Sequence, residues 1–384
     1  MLSKIWLSKP HLSNEEDVYI VEALKSNWIT TLGHNIDNFE LELENYIDSN
    51  KHVAVLNSGT SGIHLALILS GVKENDEVLC QSFTFSGSVF PVKYLGAKPI
   101  FIDSEPETWN LCPKLLERVI IDKISKNKKP KAIIFVHTYG MPAKIDAIVA
   151  IAKKYSISLI EDTAEALGSS YNGEKCGTFG DFGIFSFNGN KIITTSSGGA
   201  IICKSQEIKE RAIKIASQAK ENVKNYEHNV VGYNYRMSNI LAGLGRGQLK
   251  VIDKRVLQRR KVNQFYQDLF KDVDGVEVFK ESNSNYYSNH WLTCLLIDKS
   301  KSKLNVHELY EHLRKDKIES RPLWKPLHLQ PVFKDCEYYG EDRISEKLFE
   351  NGLCLPSSSS LSVVELDRIS KSIKTIIKLK TQKY

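Results

Sequence analysis

The 384-residue chain has no run of about 18 consecutive apolar residues, so no segment reads as a membrane-crossing helix. It lacks any C-x-x-C pair. Its seven cysteines (80, 112, 176, 203, 294, 336 and 354) are odd in number and scattered, which argues against a disulfide framework or a zinc site and suits reduced thiols packed as small hydrophobes. No G-x-G-x-x-G follows a strand-like run and no Walker A sequence occurs; Gly243-Leu244-Gly245-Arg246-Gly247 lies inside a helical pattern. Gly/Ser linkers, low-complexity tracts and internal repeats are missing. Met1–Asp17 has no apolar h-region and reaches Glu15, Glu16 and Asp17 early, so no signal peptide is read and the cytoplasm is expected. A large excess of one charge is missing too. The 52 Lys+Arg against 46 Asp+Glu leave +6, compatible with an anionic small molecule and far from a nucleic-acid signature. Two basic clusters, Lys126–Lys131 and Lys254–Lys261, read as solvated surface, with nucleic-acid or partner contact as the alternative.

What remains is an ordinary globular composition, 42% hydrophobic and 26% charged. A chain of this size buries roughly three-quarters of its surface, and its length suggests two or three domains by count alone. Short apolar runs at Val53–Leu56, Val78–Cys80, Pro99–Asp103, Ala132–His137 and Ser158–Asp162 read as strands. Helical patterns lie between them at Ser61–Ser70, Pro113–Lys126 and Lys144–Tyr155, implying βαβ units and a mostly parallel sheet flanked by helices. Gly183–Phe187 and Gly199–Cys203 read as two further strands joined by a turn-rich stretch. A long helical region is expected from Ser238 to about Phe270. A strand at Trp291–Ile297 and helices at Val306–Arg314 and Val363–Lys378 suit a smaller α+β domain.

In such a sheet, ligands collect beyond the carboxyl ends of the strands. After Val53–Leu56 comes Asn57-Ser58-Gly59-Thr60-Ser61-Gly62, whose hydroxyls beside a helix N-terminus make either a phosphate cradle or a plain N-cap. After Ser158–Ile160 comes Glu161-Asp162-Thr163-Ala164-Glu165, where Asp162 is a strand-end acid or a turn residue. Phe185-Ser186-Phe187-Asn188-Gly189-Asn190-Lys191 follows, with the lysine among small and apolar residues or else on a polar surface turn. Desolvation lowers the pKa of an amine and frees the lone pair that attack on a carbonyl needs. A lysine, an opposing carboxylate and a phosphate cradle are together the parts of a pyridoxal-phosphate site.

These motifs, with Gly232-Tyr233-Asn234-Tyr235-Arg236-Met237, resemble the DegT/DnrJ/EryC1/StrS group of nucleotide-sugar aminotransferases from about Ile5 to the C-terminus. The resemblance implies an α/β, fold-type I pyridoxal-phosphate transferase, with a large cofactor-binding domain with an N-terminal arm over residues 1–250 and a smaller α+β domain over 251–384. It implies Lys191 as the carrier of pyridoxal 5'-phosphate and Asp162 as the partner of the ring nitrogen. Thr60, Ser61 and Ser186 would hold the phosphate, and Phe85 would stack on the ring, its alternative being simple core. Asn234 would reach the phosphate of a neighbouring subunit, in a homodimer with shared sites. L-glutamate would be the donor.

The run after the lysine, Thr194-Thr195-Ser196-Ser197-Gly198-Gly199, departs from the family by lacking an acid. With Asn188-Gly189-Asn190 and Arg321-Pro322-Leu323-Trp324-Lys325-Pro326-Leu327-His328, it is similar to the branch acting on UDP-linked 4-keto-6-deoxy-N-acetyl sugars. Glu165, Arg321, Trp324, Lys325 and His328 would then face the nucleotide-sugar substrate. Rival readings are a dehydratase of the same family, which carries histidine in place of the lysine, and a non-catalytic regulator binding nucleic acid through Lys254–Lys261. Arg236 and Arg321 are candidates for the donor's carboxylate. No metal and no membrane partner is expected.

Overall fold

The computed structural model describes residues 3–47 and 50–381. Eight strands form the main sheet, in the order 52–56, 199–203, 182–186, 158–162, 132–136, 77–81, 98–102 and 338–339. All run parallel except Gly199–Cys203, which is antiparallel to both neighbours. The expected strands and helices are present with ends shifted by three residues at most; Ser158–Asp162 and Gly199–Cys203 coincide with the reading. Their Val/Ile/Leu-rich runs are buried because helices cover both faces, as parallel sheets require. In the helix Ile145–Tyr155, Ile145, Ile148, Ile151 and Ala152 form the buried stripe, and Ser156 closes it in the left-handed conformation.

The expected single helix from Ser238 to Phe270 is a correction. It divides into Asn239–Leu249 and Ile252–Phe270, with Val251 outside helical geometry at φ −113°, ψ 10°. The first segment is glycine-rich for a packing reason. A Cβ on Gly245 would lie 2.5 Å from the Phe39 ring, and one on Gly247 would lie 2.6 Å from the Glu16 backbone. Two N-terminal helices, Glu16–Lys25 and His34–Ile47, therefore press directly onto its backbone. The apolar period continues across the break, so no sequence signal marks it.

The basic cluster Lys254–Lys261 is also corrected. Arg255 and Arg259 are buried. Arg255 donates to the His11 and Leu12 carbonyls, Arg259 to the Trp291 carbonyl, and Arg260 pairs with Glu281. Three of the cluster's five cations thus hold the chain to itself, and the continuous nucleic-acid face is not formed.

A second, antiparallel sheet of 276–278, 293–297, 352–355 and 321–322 packs with the helices Ile252–Phe270, Val306–Lys315 and Val363–Thr381 around Tyr266, Leu295, Leu309 and Ile369. The chain crosses back from it: Tyr338–Tyr339 adds to the Lys98–Ile102 edge of the main sheet, and Ile5 bridges to Ile318. All seven cysteines are free, five of them buried. Among the described residues no helix is long and apolar enough to cross a membrane.

Candidate active site

The carboxyl ends of the parallel strands open on one cavity of about 220 Å³. Each wall comes from a different strand end. The turn after His52–Leu56 brings Asn57, Ser58, Gly59 and Thr60; the segment after Glu77–Gln81 brings Thr84, Phe85, Gly87 and Ser88. Ser158–Asp162 brings Asp162, Ala164 and Glu165, and the loop after Phe182–Ser186 brings Ser186, Asn188, Asn190 and Lys191. Trp291 and Trp324 reach in from the other side of the chain. The local cause at the first wall is a cap: Ser58 accepts the Ser61 N–H at 3.0 Å, opening the helix Gly59–Leu69 with its first amides toward the cavity. Gly199 permits this approach, because a Cβ there would collide with the backbone of Ser58, Gly59 and Phe185.

Asp162 is 3% exposed. Its Oδ2 accepts from Ser88 Oγ at 2.7 Å and its Oδ1 from the Ala164 N–H at 3.0 Å. Burial nevertheless pushes its pKa above the usual carboxylate value, against the opposing pull of those bonds and of Lys191. Glu165 is buried beside it and is likewise pushed up by desolvation, with Lys191 pulling the other way. Lys191 Nζ lies 3.7 Å from Glu165 Oε1, and Glu165 Oε2 accepts the Tyr139 N–H at 2.7 Å. Tyr139 makes that bond from a left-handed backbone, φ 57°, a strain of roughly 1 kcal/mol that the surrounding contacts sustain. The adjacent Glu161 faces away from the cavity. It takes His137 Nε2 and the Gly177, Phe179 and Gly180 amides, anchoring the strand end that presents Asp162.

Of the residues singled out in the sequence, Thr60, Phe85, Asp162, Glu165, Ser186, Lys191 and Trp324 line this one cavity. Phe85 is not core: it is 55% exposed, its ring 5.5 Å from Trp324. Ser61 does not line the cavity; its hydroxyl donates to Asn57 Oδ1 at 2.6 Å. Asn234 is exposed and outside the lining, its carbonyl accepting from Asn57 Nδ2 at 3.2 Å. Arg321 is exposed and pairs with Glu319, while Lys325 is exposed outside the cavity. The His328 ring stacks on Tyr338 at 3.6 Å and bonds Ser82 Oγ at 2.7 Å, so it too lies outside the lining. Arg236 is committed to Glu40 and the Val55 carbonyl. Sequence reasoning missed Ser88, Tyr139 and Trp291. Ser88 lies three residues past Phe85, which was singled out alone; the other two carry no local signal.

The residues fit pyridoxal phosphate on the chemistry of the donor set. A desolvated carboxylate with free space beside it suits a protonated ring nitrogen. The Gly59–Thr60 amides with the Thr60 and Ser186 hydroxyls suit a phosphate, and an amine stands in the same cavity.

Comparison with known proteins agrees. The model of the DegT/DnrJ/EryC1/StrS aminotransferase family matches residues 10–374. EpsN of Bacillus subtilis, named as a candidate pyridoxal phosphate-dependent aminotransferase, is 46% identical over 96% of this chain and 95% of its own. The GDP-perosamine synthase of Escherichia coli O157:H7 is 37% identical over 95% of this chain and 96% of its own. The UDP-4-amino-4,6-dideoxy-N-acetyl-beta-L-altrosamine transaminase of Campylobacter jejuni is 31% identical over 93% of each. The pyridoxal-phosphate form of Spr1654, a candidate sugar aminotransferase of Streptococcus pneumoniae, superposes with a TM-score of 0.88 at 25% identity, covering 98% of this chain and 100% of its own.

Proposed function

From the premise that the chain belongs to the DegT/DnrJ/EryC1/StrS aminotransferase family, we propose that it moves the amino group of L-glutamate to C4 of a nucleotide-linked 4-keto-6-deoxy sugar, a UDP-N-acetyl-4-keto-6-deoxyhexosamine. The chain is a pyridoxal-phosphate-dependent aminotransferase; its donor and its sugar are the proposal. The observation that carries it is the convergence of Lys191, Asp162 and Glu165 on one cavity bounded by a helix N-terminus.

When bound, the cofactor supplies an electron sink for the carbon that bears the amine. The chain's residues do the rest. Asp162, desolvated and already held by Ser88 and Ala164, is set to pair with a ring nitrogen and keep it protonated. Thr60, Ser186 and the first helix amides hold the phosphate. Lys191, whose Nζ has a carboxylate 3.7 Å away, takes and returns a proton at the reacting carbon. Phe85 and Trp324 form an aromatic wall at the mouth.

Lys191 is the one cation among the residues lining the cavity, whereas the cofactor phosphate, the nucleotide diphosphate and the donor's two carboxylates all bring negative charge. This deficit supports a homodimer in which the second copy completes the site, with the outward-facing Asn234 as one contributor. Mixing Lys191→Ala and Asn234→Ala chains would then restore about a quarter of the wild-type activity, since half the dimers carry one intact site.

The UDP-linked sugar is favoured by the acid-free Thr194–Gly199 run and the Campylobacter relative. The GDP-perosamine synthase relative favours a second reading, a GDP-linked sugar without an acetamido group. A lysine rather than a histidine at 191 speaks against the dehydratase reading. A panel of UDP-, dTDP- and GDP-linked 4-ketosugars with L-glutamate, read by product mass, decides among them. Turnover confined to GDP-linked sugars overturns the UDP reading and leaves amino transfer standing.

A further inference from the structure

We propose that Trp291 is a positioning residue for Lys191, fixing its backbone through the indole N–H and holding its free ammonium against the ring face. The observations are geometric. Lys191 Nζ lies 4.1 Å from the centroid of the Trp291 ring, within cation–π range and in a buried setting where that attraction is strongest. Trp291 Nε1 donates to the carbonyl of Asn190, the residue before the lysine, at 2.7 Å. Ser8 Oγ donates to the same carbonyl at 2.8 Å, so the peptide leading into Lys191 is pinned from two directions.

Trp291 is itself immobilised. It is 1% exposed, it stacks on Tyr139 with planes 15° apart, and its carbonyl is taken by the buried Arg259. Arg259 also reaches the Lys191 carbonyl at 3.5 Å and Ser8 Oγ at 3.0 Å. A buried arginine bonded only to neutral acceptors is costly, and here it ties the N-terminal segment, the lysine loop and Trp291 into one clamp.

The consequence concerns the lysine whenever its amine is not bonded to the cofactor, and it rests on Lys191 being the carrier. A long, flexible amine released into a wet cavity would lose its register with the reacting carbon. Here it has a fixed seat between the Glu165 carboxylate and the Trp291 face. The charged groups that bear on it are Glu165 and Asp162, and the Arg259 guanidinium stands behind its backbone; Trp291 adds a neutral partner that favours the protonated amine.

The test uses the full-length protein stripped of cofactor and mixed with pyridoxal phosphate. Uptake consumes the neutral amine and releases water, and it is followed by growth of the visible band between about pH 6 and 10. The midpoint of its pH–rate profile is the readout. Trp291→Leu is expected to lower the midpoint by about one pH unit, with uptake roughly tenfold faster below it. Trp291→Phe keeps a ring face and retains most of the midpoint, while losing the Asn190 anchor it lowers kcat with the KM for the sugar unchanged. Because Trp291 is buried, a third arm substitutes fluorinated tryptophans throughout the chain, which weakens the ring's attraction for a cation with little change in shape. The midpoint is expected to fall with each added fluorine. A midpoint indifferent to fluorine content, or equal shifts in the Leu and Phe variants, would overturn the proposal. A wild-type chain that develops no band would remove the carrier lysine, and with it both this inference and the reading beneath it.

Discussion

Replacing Ser88 by alanine takes away the hydroxyl 2.7 Å from Asp162 Oδ2 and leaves the Ala164 N–H at 3.0 Å as the carboxylate's remaining donor. At 3% exposure, Asp162 has no bulk water to replace the lost bond. A hydrogen bond to an ionised group contributes about 1.5–3 kcal/mol, so every step that needs the carboxylate ionised weakens roughly 10- to 150-fold. The direction in pH is also fixed. Burial already holds the Asp162 pKa above its ordinary value, and Ser88 opposes that rise. Without Ser88 the pKa climbs further, and the acid limb of the activity profile moves to higher pH. The assay is the half-reaction with L-glutamate, followed as loss of the visible band across pH, in the wild type, Ser88→Ala and Ser88→Thr. Threonine keeps the hydroxyl and is expected to retain the wild-type limb. A Ser88→Ala protein with native circular dichroism, unchanged rate and an unmoved acid limb would refute the assignment of Asp162 as the group that must be ionised.

Lys191→Ala is expected to abolish the visible band, and borohydride reduction of the wild type followed by peptide mapping should place the label at 191 and nowhere else. Gly199→Ala forces a Cβ into the backbone of Ser58, Gly59 and Phe185, a clash with no flexible side chain to yield. It should cost about 1–3 kcal/mol or more in thermal unfolding and weaken cofactor retention in equilibrium dialysis. Burial pushes the Glu281 carboxyl up, but His290 and Arg260 outweigh it and hold the pKa below the usual carboxylate value. A depressed folded pKa stabilises above the unfolded value of about 4.3 and loses that contribution as pH falls through the folded value. Glu281→Gln should therefore lower stability by about 1–3 kcal/mol at pH 7, with the gap to wild type closing as the pH is lowered below about 4, measured by urea unfolding.

The main sheet was readable in the sequence because its central strands are buried on both faces. Ala132–Val136 is apolar throughout, Ser158–Asp162 carries the apolar pair Leu159–Ile160, and the helix between them has a clear stripe. The break at Val251 was not readable, since the apolar period runs through it and the seating of two N-terminal helices on Gly243–Gly247 is a contact across more than 200 residues. The same reason separates the site residues that were found from those that were missed. Asp162, Lys191 and Thr60 lie at strand ends or in short glycine-hydroxyl turns, where local chemistry already limits what a residue can do. Trp291 and Tyr139 act on Lys191 and Glu165 from loops that only the tertiary fold brings near, and an isolated tryptophan in sequence is indistinguishable from core. Arg255 and Arg259 carry the point furthest. In sequence they belong to a cationic run that would be solvated or would face a polyanion, yet the helix Ile252–Phe270 turns both inward onto backbone carbonyls. A formal charge in a sequence therefore states how many hydrogen bonds a residue must find and leaves open whether water, a ligand or the chain itself provides them. In this protein the chain provides them, and for Arg259 it does so beside Lys191.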